Sequence, residues 1–165
     1  MTDIDYAAIV DSCARVIAGA VIGGKIFAAG ITASALGAVP ELVPLADDFT
    51  EAGMPAILCA IGPWSPHAQS GNARDHITVH CSVWRPRVPL GANTNALYAD
   101  CAAIEREFAA HSKIYLAPDV QSGMLMGGPG IVSRSIPAGQ NERIFLTLPF
   151  TVQVIVARIV AYQPT

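Results

Sequence analysis

Hydrophobic and polar positions alternate most regularly between His76 and Trp84. Ile77, Val79, Cys81 and Val83 fall on one side, and Thr78, His80, Ser82 and Trp84 on the other. Strict period-two alternation predicts a strand with one buried and one half-exposed face. Arg85-Pro86-Arg87 ends it. A helical period follows: Leu97, Cys101, Ile104 and Phe108 form an inner stripe, with Asp100, Arg106 and Glu107 towards solvent. Asn93 or Thr94 is the expected cap. His111 and Lys113 fall at the C-terminal end, where positive charge suits the helix dipole.

The same two periods extend over the rest of the chain. Tyr6, Ile9, Val10, Cys13, Val16 and Ile17 share one face of a helix expected over Thr2–Ala20. Thr2 and Asp5 give a weak capping box, and Asp11–Arg15 an i,i+4 pair on the outer face. Gly19, Gly23 and Gly24 then break the period. Pro40 and Pro44 rule out a long helix in the segment that follows. Pro55 opens a short apolar strand, Ala56–Ile61, which Gly62, Pro63 and Pro66 close. Beyond a Gly/Pro-rich loop over 117–141, Ile131–Ile136 reads as a short strand and Pro137–Glu142 as a hairpin turn. A long strand follows over Ile144–Val160, with Leu146, Leu148, Phe150, Val152 and Val154 on one side. Pro149 inside it argues for an edge position or a bulge.

The expected fold is α+β in α-β-β-α-β-β order: an antiparallel or mixed four-stranded sheet with two helices packed on one face. The length of 165 residues fits a single domain spanning 1–165, with an apolar Gly/Ala-rich segment at about 19–39.

Composition changes this picture in one respect. Apolar residues make up 52% of the chain and charged residues 14%, against about 25% charged in a typical globular chain. Surface this poor in charge implies a partner, most simply another copy of the chain. The net charge of −3 supplies no broad basic field for nucleic acid. The acidic start, Met1–Tyr6, lacks the pattern of a secretory leader. Lys25 interrupts the apolar run over 16–39, and what remains is short of a membrane span, so core or interface structure is expected. Cys13, Cys59, Cys81 and Cys101 form no CxxC pair and are expected as buried free thiols.

No catalytic motif stands out. Gly127-Gly128-Pro129-Gly130 lacks the phosphate-loop pattern, and Pro129 removes an amide donor. His76 and His80 point the same way on a strand but lie about 13 Å apart, too far to share a metal. Cys101 and His111 are separated by about 15 Å along a helix axis, which excludes a direct dyad. Neither a nucleophile elbow nor a paired acid and base is visible. No metal or cofactor is therefore expected. Arg85, Arg87, Arg134 and Arg143 sit near strand ends. They could face a neighbouring subunit, although solvated strand ends fit each of them equally well.

The order of elements resembles that of the tail terminator proteins of long-tailed (siphovirus-like) bacteriophages. The resemblance is carried by "PAILCAIG" (Pro55–Gly62), "HITVHCSVWRP" (His76–Pro86), "NTNALYADCAAIEREF" (Asn93–Phe108) and "RIFLTLPFTVQVIV" (Arg143–Val156), preceded by an amphipathic helix. It is a resemblance of pattern over about two thirds of the chain. It implies a non-enzymatic virion protein, assembled in the host cytoplasm, that forms a homo-oligomeric ring, a hexamer by family habit. Such a ring caps the tail tube protein and docks the head–tail connector or stopper protein. It implies no membrane and no sequence-specific nucleic acid, though DNA would pass through the ring. Trp84, Arg85, Arg87, Arg134 and Arg143 are the expected contacts with a neighbour. The segments at 19–39 and 117–141 depart from the family pattern. Two other expectations stay open: another neck or head–tail connector protein, or a small α+β enzyme or ligand-binding protein in which Cys101, His80 and Trp84 would be the residues to probe.

Overall fold

Ile9, Val10, Cys13 and Ile17 recur at helical spacing, and all four are at most 1% exposed on α1, Tyr6–Ala20. These positions come from a computed structural model that describes residues 6–29, 54–61, 74–110, 120–126, 130–138 and 141–157. Thr2, Asp5, Pro40, Pro44, Gly127–Pro129, His111 and Lys113 lie outside them. Ser12 sits among the buried residues of α1, where its hydroxyl donates to the Ala8 carbonyl at 2.6 Å. That bond satisfies a polar group that the core would otherwise leave unpaired. Asp11 and Arg15 pair at 2.7 Å on the outer face, as their spacing predicts. The helix closes with the Val21 N–H donating to Ile17 and the Gly24 N–H to Val21. Gly23 supplies the turn at φ +73°, a conformation that a Cβ disfavours.

Beyond this turn, the described residues contribute β1 (Lys25–Ala29), β2 (Ala56–Ile61), β3 (Arg74–Pro86), α2 (Leu90–Ala110), β4 (Val120–Met126), β5 (Val132–Ala138) and β6 (Asn141–Ala157). The fold is α+β. The strands form one mixed sheet in the order β1-β2-β3-β6-β4, with β5 also on β6. β1 runs parallel to β2, and every other pair is antiparallel. The four expected strands are all present, extended by two more. β1 lies in the Gly/Ala-rich segment and is only five residues long. β4, Val-Gln-Ser-Gly-Met-Leu-Met, carries no alternation to betray it.

β3 and β6 form the spine, paired from Arg74↔Ala157 to Pro86↔Phe145. On one face Val79, Cys81 and Val83 lie beside Leu146, Leu148, Phe150, Val152 and Val154. Ile57 and Cys59 of β2 join them, and α1 and α2 both pack here. The opposite face holds a second cluster: Ala56, Leu58, Ala60, Trp84 and Phe145. β2 is therefore buried on both sides, which accounts for its unbroken apolar run.

Pro149 lies in a strand paired on both sides, so the expected edge position is not found. Among the described residues, β4 pairs with β6 as far as Thr151 and β5 from Thr147, and Pro149 lies between these two stretches. Among the described residues none pairs with Pro149 on that flank, so a residue without an N–H is tolerated there. At the far end Ala138 pairs with Asn141, closing the expected β5–β6 hairpin.

α2 begins earlier than its expected cap. The Asn93 N–H donates to the Pro89 carbonyl, and the Thr94 hydroxyl donates back to the Leu90 carbonyl at 2.6 Å. Asn93 and Thr94 are therefore inside the first turns, and the proline, with its fixed φ, leads into the helix. The left-handed turn at Gly23 gives a direct test of the α1–β1 connection. Gly23→Ala should cost about 1 kcal/mol, read as a lower urea midpoint with an unchanged slope.

Candidate functional site

The alternation of β3 carries one position further than its apolar residues. Val79, Cys81 and Val83 face the helices, so Arg85 faces them too. α2 has the complementary anomaly. Leu97, Asp100, Ile104 and Phe108 are its buried residues, and Asp100 is only 5% exposed. The two anomalies meet. Arg85 Nε donates to Asp100 Oδ2 at 2.7 Å and its terminal nitrogen to Oδ1 at 3.0 Å. This two-pronged pair clamps the end of β3 to α2. Asp100 was expected in solvent. The structure turns it inward, because the spacing from Leu97 and to Ile104 places it on the inner stripe and Arg85 neutralises it there.

The last far-facing positions of β3 are organised differently. Trp84 is 1% exposed, stacked edge-on to Phe145 with ring centroids 6.2 Å apart. Its indole Nε1–H donates to Ser82 Oγ at 2.7 Å. Thr147 lies directly opposite Trp84, and its buried hydroxyl has no partner among the described residues.

Of the residues expected at a neighbour contact, Trp84 is thus turned into the subunit, and Arg85 is half-buried and committed to Asp100. Arg87 is exposed just beyond β3. Arg134 is half-buried and lies opposite Phe145, while Arg143 is exposed and lies opposite Ile136. The register places both on the same sheet face as Trp84.

Cys101, His80 and Trp84 do not converge. Cys101, expected as a buried thiol, is only half-buried on the helix side, because Asp100 takes the inward position beside it, and its thiol lies 3.7 Å from Glu105 Oε1. Burial pushes that thiol up, and the Glu105 charge adds to the effect, so it is a poor nucleophile. His80 belongs to the far face with Trp84, and burial holds its imidazole below the ordinary value. The sheet separates the two sets. Among the described residues, no group of three or more His, Cys, Asp or Glu could hold a metal ion, and no helix is long and apolar enough to cross a membrane.

What the corner between β3 and α2 does present is uncharged surface. Val88 is 79% exposed, Leu90 53% and Tyr98 50%. Between them the outer face of α2 shows Gly91, Ala92, Asn95, Ala99 and Ala102, and its first exposed charges are Glu105 and Arg106. The outer face of a solvated helix ordinarily carries charge. Compared with protein-family models and with characterised proteins, the chain matches none.

Two measurements check the site. Asp100→Ala should cost about 2–3 kcal/mol because it strands a half-buried guanidinium, whereas Arg85→Met with Asp100→Leu should recover most of that loss. Denaturant unfolding of the single and double variants measures the coupling directly. The second concerns pH. The folded state holds His80 below its ordinary value of 6.5, so the unfolded chain binds the proton more readily. Stability should therefore fall as the pH drops through about 6.5. His80→Asn should flatten that slope in urea titrations at successive pH values.

Proposed function

We propose that this chain is a structural subunit of a phage neck, the tail terminator of a long-tailed phage, working as a homo-oligomeric ring. The observation that carries the proposal is the uncharged corner of Val88, Leu90 and Tyr98, bordered by Arg87 at one end and by Glu105 and Arg106 at the other. Exposed apolar side chains on an uncharged stretch rimmed by charge are how an oligomer interface looks when its partner is removed. The pattern of elements and the charge-poor composition support the same assignment. β1, which ends the sheet among the described residues, adds to it, because a neighbour in a ring can cover a sheet edge.

In this role the ring, six subunits on the family pattern, seats one face on the tail tube protein and offers the other to the head–tail connector or stopper. DNA passes through its lumen. The work is geometric: it requires neither a bond-making step nor a cofactor. Arg87, exposed just beyond β3, rims the contact in this reading, and the clamped Arg85 ties the end of β3 to α2.

Light scattering and negative-stain imaging of the purified protein, together with imaging of assembled tails, test this. Rings of uniform order and protein at the head-proximal end of the tube are expected. A strictly monomeric protein absent from tails would sink the proposal, and contact with the portal instead of the tube would make it a connector. Leu90→Asp with Tyr98→Asp, at exposed positions, should leave the circular dichroism unchanged and reduce the particle mass to that of one subunit.

A further inference from the structure

Cys59 and Cys81 are paired residues on β2 and β3, and both are buried among the residues that receive α1 and α2. Their sulfurs are 3.4 Å apart. Directly opposed residues of an antiparallel pair have Cα atoms about 4.5–5.5 Å apart, inside the range of about 4.4–6.8 Å that a disulfide spans. Closing the bond requires side-chain rotation to about 2.05 Å, not movement of the strands. The other two cysteines are placed differently: Cys13 approaches this pair from α1, and Cys101 sits by Glu105 on α2.

We infer that Cys59 and Cys81 are a latent cross-strand disulfide site, closed by a small-molecule disulfide oxidant while the β2–β3 pair is still uncovered. One protein thiolate displaces a thiol from the oxidant and forms a mixed disulfide. The other then attacks that bond and releases the second thiol. One S–S bond is lost from the reagent and one is gained by the protein. The two protons given up by the protein end on the two reduced reagent thiols.

The timing follows from the same geometry. In the folded chain Cys59 is 0% and Cys81 3% exposed, so no reagent reaches them. Burial also pushes the Cys81 thiol well above its ordinary value and raises Cys13 as well. Exchange therefore belongs to the chain before α1 docks on the sheet. The docked helix then shields the finished bond from reductant. The cross-link joins strands whose pairing cysteines are 22 residues apart, so it restrains the unfolded chain and raises the melting temperature. The inference goes beyond the ring proposal and stands or falls separately from it.

The test is refolding from urea in a couple of oxidised and reduced glutathione, followed by non-reducing peptide mapping. It is run on the wild-type chain and on Cys13→Ala with Cys101→Ala. The expected product has native circular dichroism, has lost the mass of two hydrogens and carries a 59–81 link. Its melting temperature should rise by about 5–10 °C and fall back once the unfolded chain is reduced. Thiols that stay free in that couple would overturn the inference. So would a link from either residue to Cys13, or a 59–81 link found only in a chain with non-native circular dichroism or a lower melting temperature. The wild-type chain keeps the test decisive if the variant fails to fold.

Discussion

The register of β3 on β6 is the constraint from which the other contacts follow. Both strands must bury one face under the helices, and the pairing of Val83 with Leu148 and of Cys81 with Phe150 lines up their apolar rows. A slip of one residue would send every side chain of β3 to the wrong side. Once the row is fixed, Arg85 is delivered to the helix side and Trp84 to the far side. The first finds Asp100 and the second finds Phe145. Two unlike interactions at neighbouring residues thus arise from one alignment.

The ion pair illustrates how specificity and stability differ. Taking a carboxylate and a guanidinium out of water costs free energy that their attraction only partly offsets, so an apolar pair of the same shape would hold the corner at least as well. An apolar pair, however, would accept many rotations of α2. The fork of Arg85 on both oxygens of Asp100 accepts few. The pair therefore fixes the rotation of α2 at its midpoint, and with it the direction in which the uncharged outer face points.

Period alone made much of this legible. β3 and β6 and most of the inner stripe of α2 follow from alternation or helical spacing, because each buries a continuous face, and β2 follows from its unbroken apolar run. The ion pair was also present in those periods. Arg85 continues the row of Val79, Cys81 and Val83, and Asp100 stands between Leu97 and Ile104 at helical spacing. The polar identity of Asp100 points to solvent, while its position points inward, and in the fold position wins. β1 and β4 were not legible for a different reason. Their ladders are fixed by pairing to β2 and β6, and a five-residue or glycine-containing edge strand needs no pattern of its own. The early start of α2 was hidden because Pro89 opens the helix without a side-chain cap. Trp84 was misplaced because the second face of β3 is only half-exposed at His80 but closed at Trp84.

That second face also changes what the low charge means. A sheet covered on one side leaves alternate residues of its strands to water, and those residues are ordinarily polar. Here β2 is apolar on both faces, and Trp84, Phe145, Leu58 and Ala56 form a core of their own behind the sheet. Part of the apolar surplus is therefore consumed inside the subunit, and bulk composition overstates the surface that needs a partner. What survives this correction is local. Val88, Leu90 and Tyr98 stand out of a corner that the Arg85–Asp100 clamp holds rigid, on a helix whose outer face is bare of charge until Glu105. A rigid, uncharged corner loses little conformational freedom when covered, so its burial translates efficiently into association. The surface fit for assembly is thus one turn of backbone and the first turns of one helix, not the chain's average composition.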